Sequence, residues 1–279
     1  AMLFDNARIV SNVAAMTGKG DEAETFAALS RQVREDFITA YYDPEHKTVA
    51  TGSQAALAIA LYFGLIPEEA EETVLANLVG VLESDAYRPS TGEVCFRYMI
   101  MALARAGRSD IVYRIINRTD CPGYGWMLRE FGLQTLSERW DKPGSSLNHC
   151  MFGHAQEWFQ AYLLGIRQAE DSIGFEKLVI APEVPDGLQE AKGHFDSPRG
   201  PIHVAWEKEK ATFLLSVTIP GNTSAIVVLP VPADATLTGS GTPLAEAAGI
   251  DVLERNEAEC RLTIGSGTYR FRATWEEQR

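Results

Sequence analysis

The stretch QAALAIALYFGLIPEEAEETVLANLVGVL, residues 54–82, decides the fold of this chain. Its first ten residues, 54–63, are apolar on nearly every face; Gly64 then interrupts the run, and Pro67 opens a second helix with one apolar stripe. A helix that is apolar all round is buried on every side, whereas a striped helix packs on one side and meets water on the other. The stretch therefore predicts a helical hairpin with one buried and one half-exposed member.

The same pairing recurs on both sides of this hairpin. An apolar run at residues 3–16 precedes Gly18 and a striped helix, and another at residues 94–104 precedes Gly107 and a second striped helix. A fourth apolar run, at about residues 149–164, has no striped partner. In the striped helix after Gly18 the apolar stripe consists of Phe26, Leu29, Val33 and Phe37. In the one after Gly107 it consists of Ile111, Val112, Ile115 and Ile116. Alternating buried and striped helices predict concentric layers, the pattern of an (α/α) barrel, of which about three and a half hairpins are present.

Long connections join one hairpin to the next, whereas the turn inside each hairpin is short. The long connections are residues 41–51, 84–91 and 119–148. Because all three fall at the same end of the array, that end is predicted to carry the functional site.

From about Phe175 the sequence changes to short alternating runs separated by Gly, Pro and Asn. These runs predict a second domain, an antiparallel β-sandwich at residues 173–279, after a helical domain at residues 1–172. A turn is predicted at residues 193–200. The predicted strands are residues 177–181, 188–192, 202–206, 213–219, 224–229 and 268–274.

Composition excludes several classes of partner. With 279 residues, 46% of them hydrophobic and 23% charged, the chain is globular, and its formal net charge of -13 argues against binding to nucleic acid, whose affinity for proteins comes mainly from Lys and Arg. No apolar run is long enough to span a membrane, so no membrane partner is expected. No basic leader with an apolar segment precedes Asp5, so no signal peptide is expected.

The four cysteines, Cys95, Cys121, Cys150 and Cys260, lack the paired spacing of a metal site. Cys95 and Cys150 lie in apolar stretches and are predicted to be buried free thiols, which favours a reducing compartment and hence the cytoplasm. No metal and no cofactor is expected.

The longest connection leads into the stretch YGWMLREFGLQTLSERWDKPGSSLNHCMFGHAQEW, residues 124–158, in which carboxylates, indoles and imidazoles crowd together. Such a mixture suits a sugar site, because an indole covers the apolar face of a pyranose while carboxylate, amide and imidazole bind its hydroxyls. A carboxylate can also deprotonate a water. The alternative is a surface ion pair around a half-buried tryptophan, and spacing alone leaves both interpretations open.

Taken together, these motifs resemble the bacterial α-L-rhamnosidases of glycoside hydrolase family 78, over nearly the whole chain. The resemblance is to the later half of the (α/α)6 six-hairpin glycosidase barrel and the β-sandwich that follows it, an α + β multidomain fold. The segments that carry it are TGSQAALAIAL at residues 51–61 with FGLIP at 63–67, YGWM at 124–127, ERWD at 138–141, SLNH at 146–149 with Phe152 and Gly153, and FDSPRG at 195–200.

The resemblance implies inverting hydrolysis of terminal α-L-rhamnosides, with Glu138 as the general base and His149 as a sugar-binding residue. Other predicted substrate-binding residues are Trp140, Asn148, Trp126, Arg139 and Asp141. The expected partner is a rhamnose-containing glycoside or oligosaccharide. The alternative function is that of a non-catalytic carbohydrate-binding or structural module.

The family's general acid lies upstream of the segments matched here, so the chain is expected to be a truncated portion that is inactive alone. An open array would leave the apolar flanks of residues 3–16 and 150–164 uncovered. At roughly 25 cal/mol per Å² of wet apolar area, such exposure favours self-association or association with the missing N-terminal portion.

Overall fold

The computed structural model describes residues 1–276, so residues 277–279 of the predicted sandwich domain lie outside the described part. Contacts divide the chain into two compact units, the first ending at His154 and the second beginning at Ala155. The domain boundary between residues 172 and 173 stays a prediction.

The first unit is helical, and most of its helices form successive hairpins. Its helices are α1 (Met2–Met16), α2 (Gly20–Tyr41), α3 (Gln54–Phe63), α4 (Glu71–Ser84), α5 (Glu93–Arg105), α6 (Ser109–Ile116) and α7 (Tyr124–Glu130). A two-stranded hairpin, β1 (Tyr42–Asp43) and β2 (Thr48–Val49), lies in the first long connection.

The predicted turns inside the hairpins are confirmed. Gly18, Gly64 and Gly107 all adopt a positive φ, of 75°, 65° and 70°, which a residue without a Cβ reaches at little cost. At the other end of α3, the side chain of Ser53 caps the helix by accepting a hydrogen bond from the N–H of Ala56.

The predicted alternation of buried and striped helices holds for the second and third hairpins. The α3 and α5 helices pack on each other, with Phe96 and Leu103 of α5 fully buried. Their partners α4 and α6 each bury a single stripe, such as Val74 and Leu78 in α4.

The expected uncovered apolar flank of residues 3–16 is confirmed. Helix α1 packs mainly on α2 and buries only Ala7 and Ala14. The local apolar pattern predicted the helix correctly, but burial also needs neighbours, and six large apolar side chains remain exposed. These are Met2, Leu3, Ile9, Val10, Val13 and Met16.

The prediction of one continuous fourth helix at about residues 149–164 is wrong. Residues Cys150–Phe152 form a single 3-10 turn, and a short helix, α8 (Ala155–Trp158), widens into a π-helical turn at Phe159–Leu163. Trp158 and Leu163 are buried, so this segment does not present the uncovered apolar flank that the sequence predicted.

The second unit is the predicted sandwich, built from two sheets. The six-stranded sheet has the order β10-β9-β13-β7-β6-β5, and the five-stranded sheet has the order β11-β12-β8-β4-β3. The strands are β3 (Ile166–Gln168), β4 (Lys177–Ile180), β5 (Glu190–Ser197), β6 (Gly200–Glu209), β7 (Thr212–Ile219), β8 (Ser224–Leu229), β9 (Thr236–Gly239), β10 (Thr242–Pro243), β11 (Ile250–Arg255), β12 (Cys260–Ile264) and β13 (Gly267–Thr274).

Two details of the sandwich differ from the prediction. The pairs are antiparallel except β4 with β8, which run parallel. The turn predicted at residues 193–200 is shorter, because Gly193 to Ser197 continue β5, and Ser197 pairs with Gly200 around a tight connection. Ser197 closes that connection by donating a hydrogen bond from its hydroxyl to the carbonyl of Gly200, 2.7 Å away.

The predicted burial of two cysteines is only partly correct. Cys150 is exposed and Cys95 is half-buried, whereas Cys260 is buried, and all four thiols are free. The error at Cys150 follows from the missing helix, since the 3-10 turn leaves that side chain outside the core. In the part of the chain that the structure describes, no helix is long and apolar enough to cross a membrane.

Candidate active site

Residues 136–149 form a loop whose two ends are held together by backbone hydrogen bonds. The N–H of His149 donates to the carbonyl of Leu136, 2.8 Å away, and the N–H of Glu138 donates to the carbonyl of Ser146, 3.2 Å away. Because these bonds pair the start of the loop with its end, Glu138 and His149 lie side by side. Oε2 of Glu138 is 4.0 Å from Nδ1 of His149.

The carboxylate of Glu138 is fixed through one of its oxygens. Oε1 accepts two hydrogen bonds from Ser145, one from the backbone N–H and one from the hydroxyl, both 2.8 Å long. Two donors on a single oxygen orient the carboxylate and leave the other oxygen, Oε2, on the side of His149. The arrangement suits a carboxylate that must present one defined oxygen to a reacting group.

These contacts also favour the charged form of Glu138. The hydroxyl of Ser145, followed by its backbone N–H, holds the pKa of Glu138 below its ordinary value. Glu138 is therefore ionised at neutral pH and can accept a proton.

Ser137 and Gly144 shape the loop around Glu138. Ser137 is fully buried, and its Oγ accepts a hydrogen bond from the N–H of Gly144, 2.9 Å away. A Cβ at position 144 would lie 2.3 Å from Cγ of Glu138 and 2.7 Å from its Oε1. A side chain at 144 would therefore displace the carboxylate of Glu138 from its present position.

His149 has a second carboxylate on the opposite side of its ring. Nε2 of His149 lies 3.1 Å from Oε2 of Glu93, the first residue of α5. Arg97, one turn further along α5, donates to the hydroxyl of Tyr62 at 3.0 Å. The structure therefore joins Glu93, His149 and Glu138 into one cluster, with the imidazole between the two carboxylates.

Trp140 belongs to an aromatic cluster, and one face of its ring is covered. Its ring centroid lies 3.9 Å from that of Phe152, with the planes tilted by 37°, and Tyr124 and Phe96 pack against it edge-on. Burial raises the pKa of Tyr124, whose hydroxyl donates to the carbonyl of Phe152. Any sugar that stacks on Trp140 must therefore use the face opposite Phe152.

Arg139 and Asp141 turn to each other rather than to the cluster. The guanidinium donates twice to the carboxylate, with both distances 3.0 Å, and both side chains are exposed. The Arg139 guanidinium holds the pKa of Asp141 below its ordinary value. This pair matches the alternative interpretation of the motif, a surface ion pair beside a half-buried tryptophan.

The remaining predicted residues lie in different surroundings. Asn148 is exposed and lies in the loop. Trp126 is half-buried on α7, and among the described residues its Nε1, like that of Trp140, has no hydrogen-bond partner. Their contribution to a sugar site stays a prediction.

Sequence reasoning did not select Ser145 or Gly144. The only signal was the run Pro143-Gly144-Ser145-Ser146, which is typical of a turn and carries no chemistry by itself. From the sequence, Glu93 and Arg97 are plausible sugar-binding residues, because they lie at the loop end of an apolar helix. An ion pair between them, four residues apart, is an interpretation at least as good.

Two other features bear on the site. Within residues 1–276, no group of three or more His, Cys, Asp or Glu side chains is placed to hold a metal ion. A cavity of about 570 Å³, lined in part by Phe4, Tyr62 and Arg105, lies at the far end of α5 from Glu93. A helix of 13 residues is about 20 Å long, so the cavity is separate from the cluster around His149.

Comparisons with known proteins cover most of the chain. The family described as bacterial alpha-L-rhamnosidase 6 hairpin glycosidase domain matches residues 1–163, and the family described as bacterial alpha-L-rhamnosidase C-terminal domain matches residues 165–242. An alpha-L-rhamnosidase of Streptomyces avermitilis is 28% identical over 266 residues, and one of Formosa agariphila is 24% identical over 285 residues.

Solved structures give the same picture. An alpha-L-rhamnosidase from Dictyoglumus thermophilum superposes on 98% of this chain with a TM-score of 0.88 and 28% identity. The Streptomyces avermitilis enzyme complexed with L-rhamnose superposes on 95% with a TM-score of 0.83 and 26% identity. The chain spans 31% and 26% of those two structures, and 25% and 30% of the Streptomyces and Formosa sequences.

Proposed function

The chain belongs to the bacterial α-L-rhamnosidase six-hairpin glycosidase family, and on that premise we propose that it carries the general-base side of an α-L-rhamnosidase active site. The observation that supports this most directly is the fixed carboxylate of Glu138. Ser145 holds one oxygen with two hydrogen bonds and keeps the group ionised, while the other oxygen lies beside His149.

In the proposed reaction, Glu138 removes a proton from a water as the water oxygen attacks the anomeric carbon of a terminal rhamnose. The bond from that carbon to the aglycone oxygen breaks, and a general acid protonates the leaving oxygen. An inverting enzyme needs its two carboxyl groups about 6.5–9.5 Å apart, with the sugar and the water between them.

Neither of two nearby carboxylates fits the role of general acid. Arg139 keeps Asp141 charged, so this carboxyl has no proton to give at neutral pH. Glu93 is separated from Glu138 by the ring of His149, which occupies the space that a sugar would need.

We therefore assign the general acid to a part of the enzyme outside this chain. The chain covers only a quarter to a third of the relatives' length, which leaves room for such a part. The exposed apolar side chains of α1 supply a surface for it, because roughly 25 cal/mol is gained for each Å² of apolar area buried. The outcome is a glycosidase portion that is inactive alone.

The predicted sugar contacts complete the proposal. His149 binds a hydroxyl, Trp140 covers an apolar sugar face with the side opposite Phe152, and Trp126, Asn148, Arg139 and Asp141 line the approach. Substitution of His149 or Trp140 should raise the Michaelis constant for a rhamnoside.

The test of the proposed function compares the full-length gene product with this chain alone on a panel of aryl glycosides. We expect the full-length protein to hydrolyse the aryl α-L-rhamnoside and to release the β-anomer first, as seen by proton NMR, whereas the chain alone releases no aglycone. Hydrolysis of a different aryl glycoside would show that the enzyme is specific for another sugar. Hydrolysis by the chain alone would overturn the assignment of the general acid to a part outside this chain. Binding of rhamnose without hydrolysis by the full-length protein would favour the alternative, a carbohydrate-binding module.

The acidic limb of the pH profile offers a second test. Glu138 must be deprotonated to act as a base, so kcat/KM falls as the pH falls through its pKa, which the hydroxyl of Ser145 lowers most. In the full-length protein, Ser145→Ala should raise that pKa and move the acidic limb of kcat/KM to higher pH. Ser146→Ala is the matched control, since the bond that Ser146 accepts from the N–H of Glu138 uses its backbone carbonyl. A limb that stays in place in Ser145→Ala would contradict the assignment of Glu138 as the titrating base.

A further inference from the structure

We infer that Glu93 is a positioning residue that fixes the ring and tautomer of His149 and so leaves Nδ1 as a hydrogen-bond acceptor beside Glu138. This inference rests on the proposed function of Glu138, and it adds a residue on α5 that the chemistry of the loop alone does not require.

Glu93 and His149 are in direct contact. Oε2 of Glu93 lies 3.1 Å from Nε2 of His149, a hydrogen-bond distance. A carboxylate offers only acceptors, so the proton in this bond must come from Nε2. A neutral imidazole carries one proton, and a proton on Nε2 leaves a lone pair on Nδ1. Glu93 therefore selects the tautomer in which the nitrogen facing Glu138 accepts.

Both Glu93 and His149 are held by the surrounding structure. Glu93 is the first residue of α5, a helix of 13 residues that buries Phe96, Met99 and Leu103 in the core. The backbone N–H of His149 is tied separately to Leu136. With its backbone fixed by the loop and its far ring nitrogen fixed by a core helix, the imidazole is held at both ends.

A gap separates Nδ1 of His149 from Oε2 of Glu138. The two acceptors are 4.0 Å apart, too far for a direct hydrogen bond and close enough for one hydroxyl-bearing group to reach both. If an oxygen between them made hydrogen bonds of about 2.8 Å to both, the two bonds would meet at that oxygen at an angle of about 90°. This angle is close to the angle between the two O–H bonds of a water. The group in the gap donates a hydroxyl hydrogen to His149. The attacking water has two hydrogens and can donate to both acceptors at once, whereas a sugar hydroxyl has one hydrogen and would donate to His149 alone.

The test is a double-mutant cycle in the full-length protein, with kcat and KM measured on the aryl α-L-rhamnoside. Glu93→Ala should lower kcat/KM by about 10- to 100-fold, the usual effect of freeing a group that orients a reacting one. Glu93→Gln keeps an acceptor oxygen and should recover most of the loss. In a His149→Ala background, Glu93→Ala should have no further effect, because Glu93 acts only through the imidazole.

The separate values of kcat and KM show whether the water or the sugar donates the hydrogen to His149. A fall in kcat at constant KM in Glu93→Ala points to the attacking water, and a rise in KM points to a sugar hydroxyl; both are compatible with the positioning role. Equal losses from Glu93→Ala in the presence and absence of His149 would overturn the inference, as would a Glu93→Gln variant no better than Glu93→Ala. Full activity in Glu138→Gln would instead contradict the proposed role of Glu138, on which the inference rests. Failure of the inference and failure of the proposed function therefore give different results.

Discussion

Replacing Glu138 by Gln in the full-length protein should lower kcat for an aryl α-L-rhamnoside by roughly 10²- to 10⁴-fold, the contribution of a positioned general base. Glutamine is nearly the same size, and its carbonyl oxygen can still accept the hydrogen bonds from Ser145 that hold Oε1 now. The substitution therefore removes the basicity of the group while keeping its place in the loop. KM should change much less than kcat, because the sugar contacts remain.

The control for this experiment is Glu22→Gln on α2, where the carboxylate forms an exposed ion pair with Lys19, 3.5 Å long. That variant should match the unmodified enzyme in both constants. A Glu138→Gln enzyme that keeps more than about a tenth of its kcat would exclude Glu138 as the general base, since even the low end of the expected loss is larger.

The largest effect on stability is expected for Gly165→Ala in the second unit. Gly165 has φ of 73°, and a Cβ there would lie 2.1 Å from the carbonyl carbon of Ala181 and 2.3 Å from the nitrogen of Pro182. These are backbone atoms of the neighbouring strand end, tied to Gly165 by a hydrogen bond from the N–H of Ala181. They cannot move aside without breaking the pairing of β3 with β4.

Left-handed backbone costs a residue with a Cβ roughly 1–2 kcal/mol, and forcing extra atoms into a packed site costs roughly 1–3 kcal/mol. We expect the sum, about 2–5 kcal/mol, as a loss in the free energy of unfolding measured in denaturant. Gly174→Ala is the matched control, because Gly174 also has a positive φ of 60° but a Cβ there meets nothing within 4 Å. Equal losses in the two variants would show that the contact with Ala181 is not responsible.

The features that the sequence predicted well are those that local chemistry determines. Helix α3 is apolar on most faces and is followed by Gly64 in the left-handed region, so both its burial and its end follow from a few adjacent residues. Strand β8 matches its predicted bounds for the same reason, since alternation and the flanking Pro and Asn are local signals.

The features that the sequence missed depend on contacts between distant residues. Nothing near residue 149 specifies that the chain folds back onto Leu136 instead of starting a helix. Glu138 and His149 were selected by their resemblance to a known motif. The contacts that give them a common geometry, from Ser145 and Glu93, follow from the fold of the loop and the placement of α5.

The backbone tie between Leu136 and His149 also bears on the order of events in folding. A loop of about ten residues closes in roughly 10–100 ns in an unfolded chain, and the entropic cost of closure rises only with the logarithm of its length. By contrast, the central pair of the six-stranded sheet joins Thr218 to Thr268, which are 50 residues apart. Folding rates fall as contacts become less local. We therefore expect Glu138 and His149 to meet well before the sheet is complete.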